Sequence, residues 1–269
     1  MPDAPGYAVL LKAQEHWKPM EVARVLAGFR GAPIQDVAAS AKASWGIVAE
    51  NLEESAAGKL ASLLEGAGLG AAAIPANLLE DLPPAVAISR AELAHDGLAY
   101  SSGAASGRVS WADIDLVAAA AFRQAIRGPL AQPQGPGLVR RAVGLGILMT
   151  TGLPIPMGPK KEAAQKTLES FEVVFFLDLI SRKAPLRLRV DGQNFDYSCL
   201  KARMGYGTLA NFKLLVEDVS GKAAAGATRN RGARILLESG PLREMGYDSL
   251  ADLERESRWL LTVRALGLR

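Results

Sequence analysis

Apolar positions along the chain alternate between two rhythms. Tyr7 to Leu11 is an unbroken apolar run of strand length, and Pro19 then sits where the first turn of a helix tolerates proline. Val22, Val25, Leu26 and Phe29 follow at helical spacing, and Gly31 marks the stop. Pro33 opens a second helix carrying Ile34, Val37, Ala38 and Ala41, and WGIVAE (45–50) predicts the next strand. In NLEESAAGKLASLLEGAGLGAAAIP (51–75), Asn51 or Ser55 caps a third helix, Glu53 and Glu54 lie at its positive end, and Ala56, Leu60, Leu63 and Leu64 form its stripe. Gly66 and Gly68 end that helix, and Leu69 to Ile74 returns as a strand, giving the order β-α-α-β-α-β. These glycines follow a helix instead of preceding one. They lie at the end whose dipole repels anions, and so they punctuate the chain and do not cradle a phosphate.

From PPAVAIS (83–89) the texture changes to strands, at GLAYSS (97–102), GRVSWADIDLVAAAAF (107–122), FEVVFFLDLIS (171–181) and PLRLRVD (185–191). Leu186, Leu188 and Val190 alternate with Arg187 and Arg189, which predicts one buried face and one wet face carrying the arginines. A helix over 208–223 is capped by Thr208, with Leu209, Phe212, Leu215, Val216 and Val219 facing inward. Between strands lies a Gly- and Pro-rich insertion, 123–169, read either as ordered cover or as a partner-binding arm. The tail DSLADLERESRWLLTVRAL (248–266) predicts a helix capped by Asp248 or Ser249, whose Leu250, Leu253, Trp259, Leu260 and Leu261 dock either on the chain itself or on a partner.

EVARVLAGFRGAPIQDVAASA (21–41), with GIVAENLEESAAGKLASLLEGAGLGAAAI (46–74), resembles the C-terminal domain of the bacterial ribosomal stalk protein L7/L12. The likeness lies in the order of helix, glycine turn, small-residue helix, strand and helix ending in GAG. That family presents a lysine-rich face of its first two helices to translation factors. The matching stretch 20–43 holds only Arg24, Arg30 and Lys42 beside Glu21 and Asp36, so the resemblance implies a fold without factor binding. GRVSWADIDLV (107–117) resembles the strand pair of bacterial PH-like domains, with Trp111 and Ile114 inward. This second likeness implies strands closed by a helix and a partner-binding scaffold.

Charge adds an asymmetry. Residues 1–100 carry 7 basic against 12 acidic side chains and residues 101–269 carry 24 against 16, within a net charge of +3. The basic excess forms no dense stripe, which argues against nucleic acid. The apolar stretch 142–158, just after Arg140 and Arg141, is too short and too interrupted by Pro154, Pro156 and glycines for a spanning helix. Contact of this basic half with a membrane surface is a weaker reading. The opening MPDAPGYAVLL has no basic n-region, so no secretory signal is expected, and one cysteine, Cys199, excludes an internal disulfide.

His16 and His95 are the only histidines and stand apart from any ligand-spaced partners, so no metal, cofactor or catalytic set is expected. Cys199 reads as a buried structural thiol, and Asp113 and Asp115 as solvated carboxylates. Arg203, Gly205 and Gly207 precede a helix N-terminus and form a possible anion site, with a plain turn as the alternative.

The expectation is a cytoplasmic α+β protein. Residues 1–80 form an L7/L12-like module, 83–223 a PH-like barrel with the 123–169 insertion, and 224–269 an extended segment and helical tail. Its expected role is a non-enzymatic protein-interaction or scaffolding component, binding a partner or itself through Leu250, Leu253, Trp259 and Leu260 of the tail and through the insertion with Arg140 and Arg141. The alternative is a sensor or enzyme with a pocket at the domain junction.

Overall fold

A computed structural model describes residues 6–103, 105–126 and 170–268. The expectations for 127–169, including Arg140, Arg141 and the 142–158 segment, lie outside the described residues. Of the described residues, those in 6–123 and 173–268 form one compact unit, and 124–126 with 170–172 belong to a second. Of the second unit, only strand ends are described. Among the described residues, no helix is long and apolar enough to cross a membrane.

β1 (Tyr7–Leu11), α1 (Pro19–Arg30), α2 (Ile34–Lys42), β2 (Ile47–Leu52), α3 (Glu54–Gly66) and β3 (Ala71–Pro75) follow one another in the order β-α-α-β-α-β. They form an antiparallel sheet in the order β2-β1-β3. Residues 8 to 11 of β1 are all buried, so this central strand is covered on both faces. α1 starts at Pro19 and ends at a left-handed Gly31. α3 departs from its expected details. Glu53 holds the cap position without a side-chain cap bond, and the inner stripe is Ala57, Leu60 and Leu64, which turns Leu63 outward. Asn51 instead ends β2 in a left-handed conformation.

Two further sheets follow. β4 (Ala85–Ile88), β8 (Leu116–Ile126), β9 (Ser170–Ser181), β10 (Leu186–Asp191) and β11 (Thr228–Arg229) form a five-stranded sheet in the order β11-β8-β9-β10-β4. β5 (Arg90–Leu93), β6 (Gly97–Ser102) and β7 (Ala105–Ser110) form an antiparallel meander. The chain passes from one sheet to the other at Ser89, whose N–H donates to the Ser101 carbonyl (3.0 Å) and whose carbonyl accepts from Asp196 N–H (2.8 Å). The edges β11 and β4 do not pair with each other, so the expected closed barrel is replaced by open sheets.

Helices α4 (Thr208–Lys222), α5 (Arg231–Leu237) and α6 (Leu250–Leu266) complete the unit. Gly207 precedes α4 without a side-chain cap bond, and Leu209 is exposed while Asn211, Phe212, Leu215, Val216 and Val219 face the core.

α6 departs furthest from an amphipathic surface helix. Glu256, Ser257, Trp259, Leu260, Leu261 and Thr262 are all buried, and at 100° per residue they cover most of the circumference, leaving a narrow exposed strip at Ala251, Arg255 and Ala265. On the side of the first sheet, Trp259 Nε1 donates to the Leu11 carbonyl (2.6 Å), Arg258 meets Glu50 (2.8 Å) and Thr262 Oγ1 accepts from Glu80 N–H (2.9 Å). At its start Ser249 and Asp252 form a capping box, and Asp252 also accepts from Trp45 Nε1 (3.0 Å). Leu253, Trp259 and Leu260 therefore pack inside their own chain, and Leu250 lies half-buried against the same core.

One position makes this docking testable. Gly46 has φ +90, and a Cβ there would stand 2.0 Å from the Trp259 ring. Gly46→Ala should therefore cost about 3 kcal/mol or more, from the strained backbone and the displaced indole together, as read by urea denaturation.

Candidate functional site

Buried ionisable groups are the first place to look for chemistry, and α6 gathers two sets of them. In the first, β9 places Asp178 opposite Arg189 of β10. Arg187 Nε donates to Asp178 (2.8 Å), Arg189 donates to both carboxylate oxygens of Asp178 (2.8 Å each), and both arginines reach Glu254 of α6 (2.9 and 3.1 Å). Burial acts to raise the Glu254 pKa, but Arg187 and Arg189 outweigh it and hold the carboxyl below its ordinary range. The arginines expected on a wet face are thus buried, because each is neutralised and α6 covers that face.

The second set centres on Asn230, the cap of α5. Its Oδ1 accepts from the N–H groups of Ala119 (2.9 Å) and Ala233 (2.8 Å), while its Nδ2 donates to the Ala119 carbonyl (2.9 Å), Tyr247 Oη (2.8 Å) and Glu256 (3.0 Å). The side chain thereby acts as one more rung of the β8 ladder. Glu256 also accepts from the Tyr247 hydroxyl and from Arg231 N–H (3.1 Å). Burial raises the pKa of Glu256 in spite of these donors, and burial followed by the neighbouring Glu256 raises that of Tyr247. Tyr247 stacks on Trp45, which stacks on Trp17, with centroids 4.6 and 4.2 Å apart. The hydrogen bonds of both sets tie α6 to distant parts of the fold, which is a structural role.

Cys199 is half-buried, and burial pushes its thiol up, away from the thiolate a nucleophile needs. His16 lies against Gly70 with a buried, unpartnered Nδ1, and His95 is exposed. Asp115 is not a free solvated carboxylate. It accepts from Arg182 N–H (2.8 Å) and lies 3.3 Å from Arg264 Nε, whereas Asp113 pairs with Lys183 (3.2 Å).

The region 197–209 presents a different surface. A 3-10 segment, Tyr197–Arg203, is anchored by buried Tyr197 and Leu200 and by Tyr197 Oη donating to the Gly192 carbonyl (2.9 Å). Within it Lys201 has φ 52 and ψ −127, a backbone conformation that costs a non-glycine residue about 1–3 kcal/mol. The turn that follows is clamped from below. Gly205 N–H donates to Asn211 Oδ1 (2.8 Å) and the Asn211 amide donates back to the Gly205 carbonyl (2.9 Å), with Asn211 itself buried. Above the clamp, Met204 is 51% exposed, Leu209 37% and Tyr206 fully exposed.

No family model, curated protein or solved structure matches the chain.

The possible anion site at Arg203, Gly205 and Gly207 therefore reads differently in three dimensions. Arg203 pairs with Asp218, the Gly205 N–H is engaged by Asn211, and Gly207 is the residue before α4. What the turn offers is apolar surface on a fixed backbone. Sequence reasoning passed over Tyr206, Asn211, Asn230 and Glu256. The glycines flanking Tyr206 and the asparagine before ARILL were the available signals.

Glu256 gives two expectations. Glu256→Ala leaves the Tyr247 hydroxyl and the Arg231 N–H short of an acceptor and should cost about 3 kcal/mol in a denaturant titration. Because the folded pKa lies above the unfolded one, the unfolded chain releases this proton first. This contribution to stability is full below the ordinary carboxylate pKa and lost as pH rises through the folded value. Relative to wild type, Glu256→Gln should therefore gain stability as pH rises through that window, as measured by melting temperature across a pH series.

Proposed function

We propose that this chain is a non-enzymatic protein-interaction or scaffolding component whose contact surface is the clamped turn 203–209. The observation that carries the reading is Tyr206, fully exposed on a turn fixed by the buried Asn211 and flanked by exposed Met204 and Leu209. Contiguous exposed apolar side chains cost solubility, and a tyrosine ring supplies contact area with little rotamer entropy to lose. A backbone already ordered in the free protein lowers the entropic penalty of association. The partner surface this implies is a shallow apolar recess with an acceptor for the tyrosine hydroxyl.

The reading is tested with a benzophenone photo-crosslinker placed at Tyr206 in the native host. One discrete partner should be captured, and Met204→Ser with Leu209→Ser should reduce that capture at least tenfold without changing the melting temperature. Capture that is unchanged in the double variant, or matched by a crosslinker placed at exposed Glu92, contradicts the reading.

A further inference from the structure

A cavity of about 580 Å³ opens where the segment after β1, the β11–α5 region and the last turns of α6 come together. Its volume falls in the range of small-molecule sites. Leu260, Val263 and Leu268 supply apolar lining, while Lys12, Arg234 and Arg264 supply positive charge against a single lining carboxylate, Glu15. Two of the three cations are already matched. Lys12 Nζ lies 2.6 Å from Glu65 and Arg264 Nε 3.3 Å from Asp115.

Arg234 differs from both. Among the described residues no carboxylate lies within ion-pair distance of it, and its hydrogen-bond partner is the neutral Gln14 Oε1. Gln14 is itself held, because its Nε2 donates to the Arg229 carbonyl (2.9 Å). The guanidinium is thus steered by a fixed amide, and among the described residues Gln14 is the one side-chain acceptor recorded for its five donors. An orientated arginine with no carboxylate in ion-pair contact among the described residues, beside apolar side chains, suits a ligand that has both an acidic head and an apolar body.

We propose that this cavity binds a small amphipathic organic anion, with its carboxylate, sulfonate or phosphate on Arg234 and its apolar body against Val263 and Leu268. The site is independent of the 203–209 turn. The probe is 8-anilinonaphthalene-1-sulfonate, titrated into the full chain by fluorescence at low salt. Arg234→Gln should weaken its binding about tenfold or more, consistent with the loss of charge-assisted hydrogen bonds. Tyr206→Ser should leave binding unchanged, and benzoate should compete where benzylammonium does not. Arg234 is exposed, so the variant keeps the wild-type melting temperature. Absence of probe binding, equal binding by Arg234→Gln, or loss of binding in Tyr206→Ser overturns the proposal.

Discussion

The Trp259 indole sits over a glycine that has no room for a side chain and donates to the carbonyl at the end of β1. Around that contact, α6 is buried over most of its circumference and its buried residues share one core with the β2-β1-β3 sheet and the five-stranded sheet. A helix in that position keeps only a narrow wet strip, at Ala251, Arg255 and Ala265, on which to leave its polar groups. Glu256, Ser257 and Thr262 are carried inside, and two of the three are balanced by partners drawn from distant parts of the chain. The Arg187–Asp178–Arg189–Glu254 cluster follows from the same constraint, since the side chains of β10 that face α6 are charged and must be neutralised there. Gly232 shows how tight the seam is, for a Cβ there would stand 1.9 Å from the Ala119 carbonyl oxygen.

This constraint shapes where function can reside. Tyr247 and Glu256, two of the strongly perturbed groups, are bound to each other and to the backbone, and burial is the largest cause of both shifts. Two features lie on the outside of the same body: a clamped turn carrying Tyr206 and a cavity lined by Arg234. Both depend on fixed backbone, the first through Asn211 and the second through the ends of β1 and α6.

Local signals made part of this fold legible. Proline at the start of α1, glycine at its end and the apolar run of β1 act within a few residues, so the β-α-α-β-α-β order could be read directly. Periodicity was weaker at one-residue precision, which is why Leu63 and Leu209 were assigned inward and stand outside. The largest departures are long-range. Alternating Leu and Arg in 186–190 has the period of a half-wet strand whether the arginines meet water or Asp178, and a helix with Glu, Ser and Thr among its leucines looks amphipathic until its surroundings are known. Of the candidate site, Arg203, Gly205 and Gly207 drew notice for their glycines, but the tyrosine between them and the asparagine beneath them decide what the turn presents.

The account rests on α6 being the shared core of both sheets, and native-state hydrogen exchange tests this most directly. Amides of β1, β8 and the 256–262 segment should exchange only through one common opening, at the global stability of about 5–15 kcal/mol usual for folded proteins. Exchange of α6 through a separate opening several kcal/mol below that of β1 and β8 would contradict it.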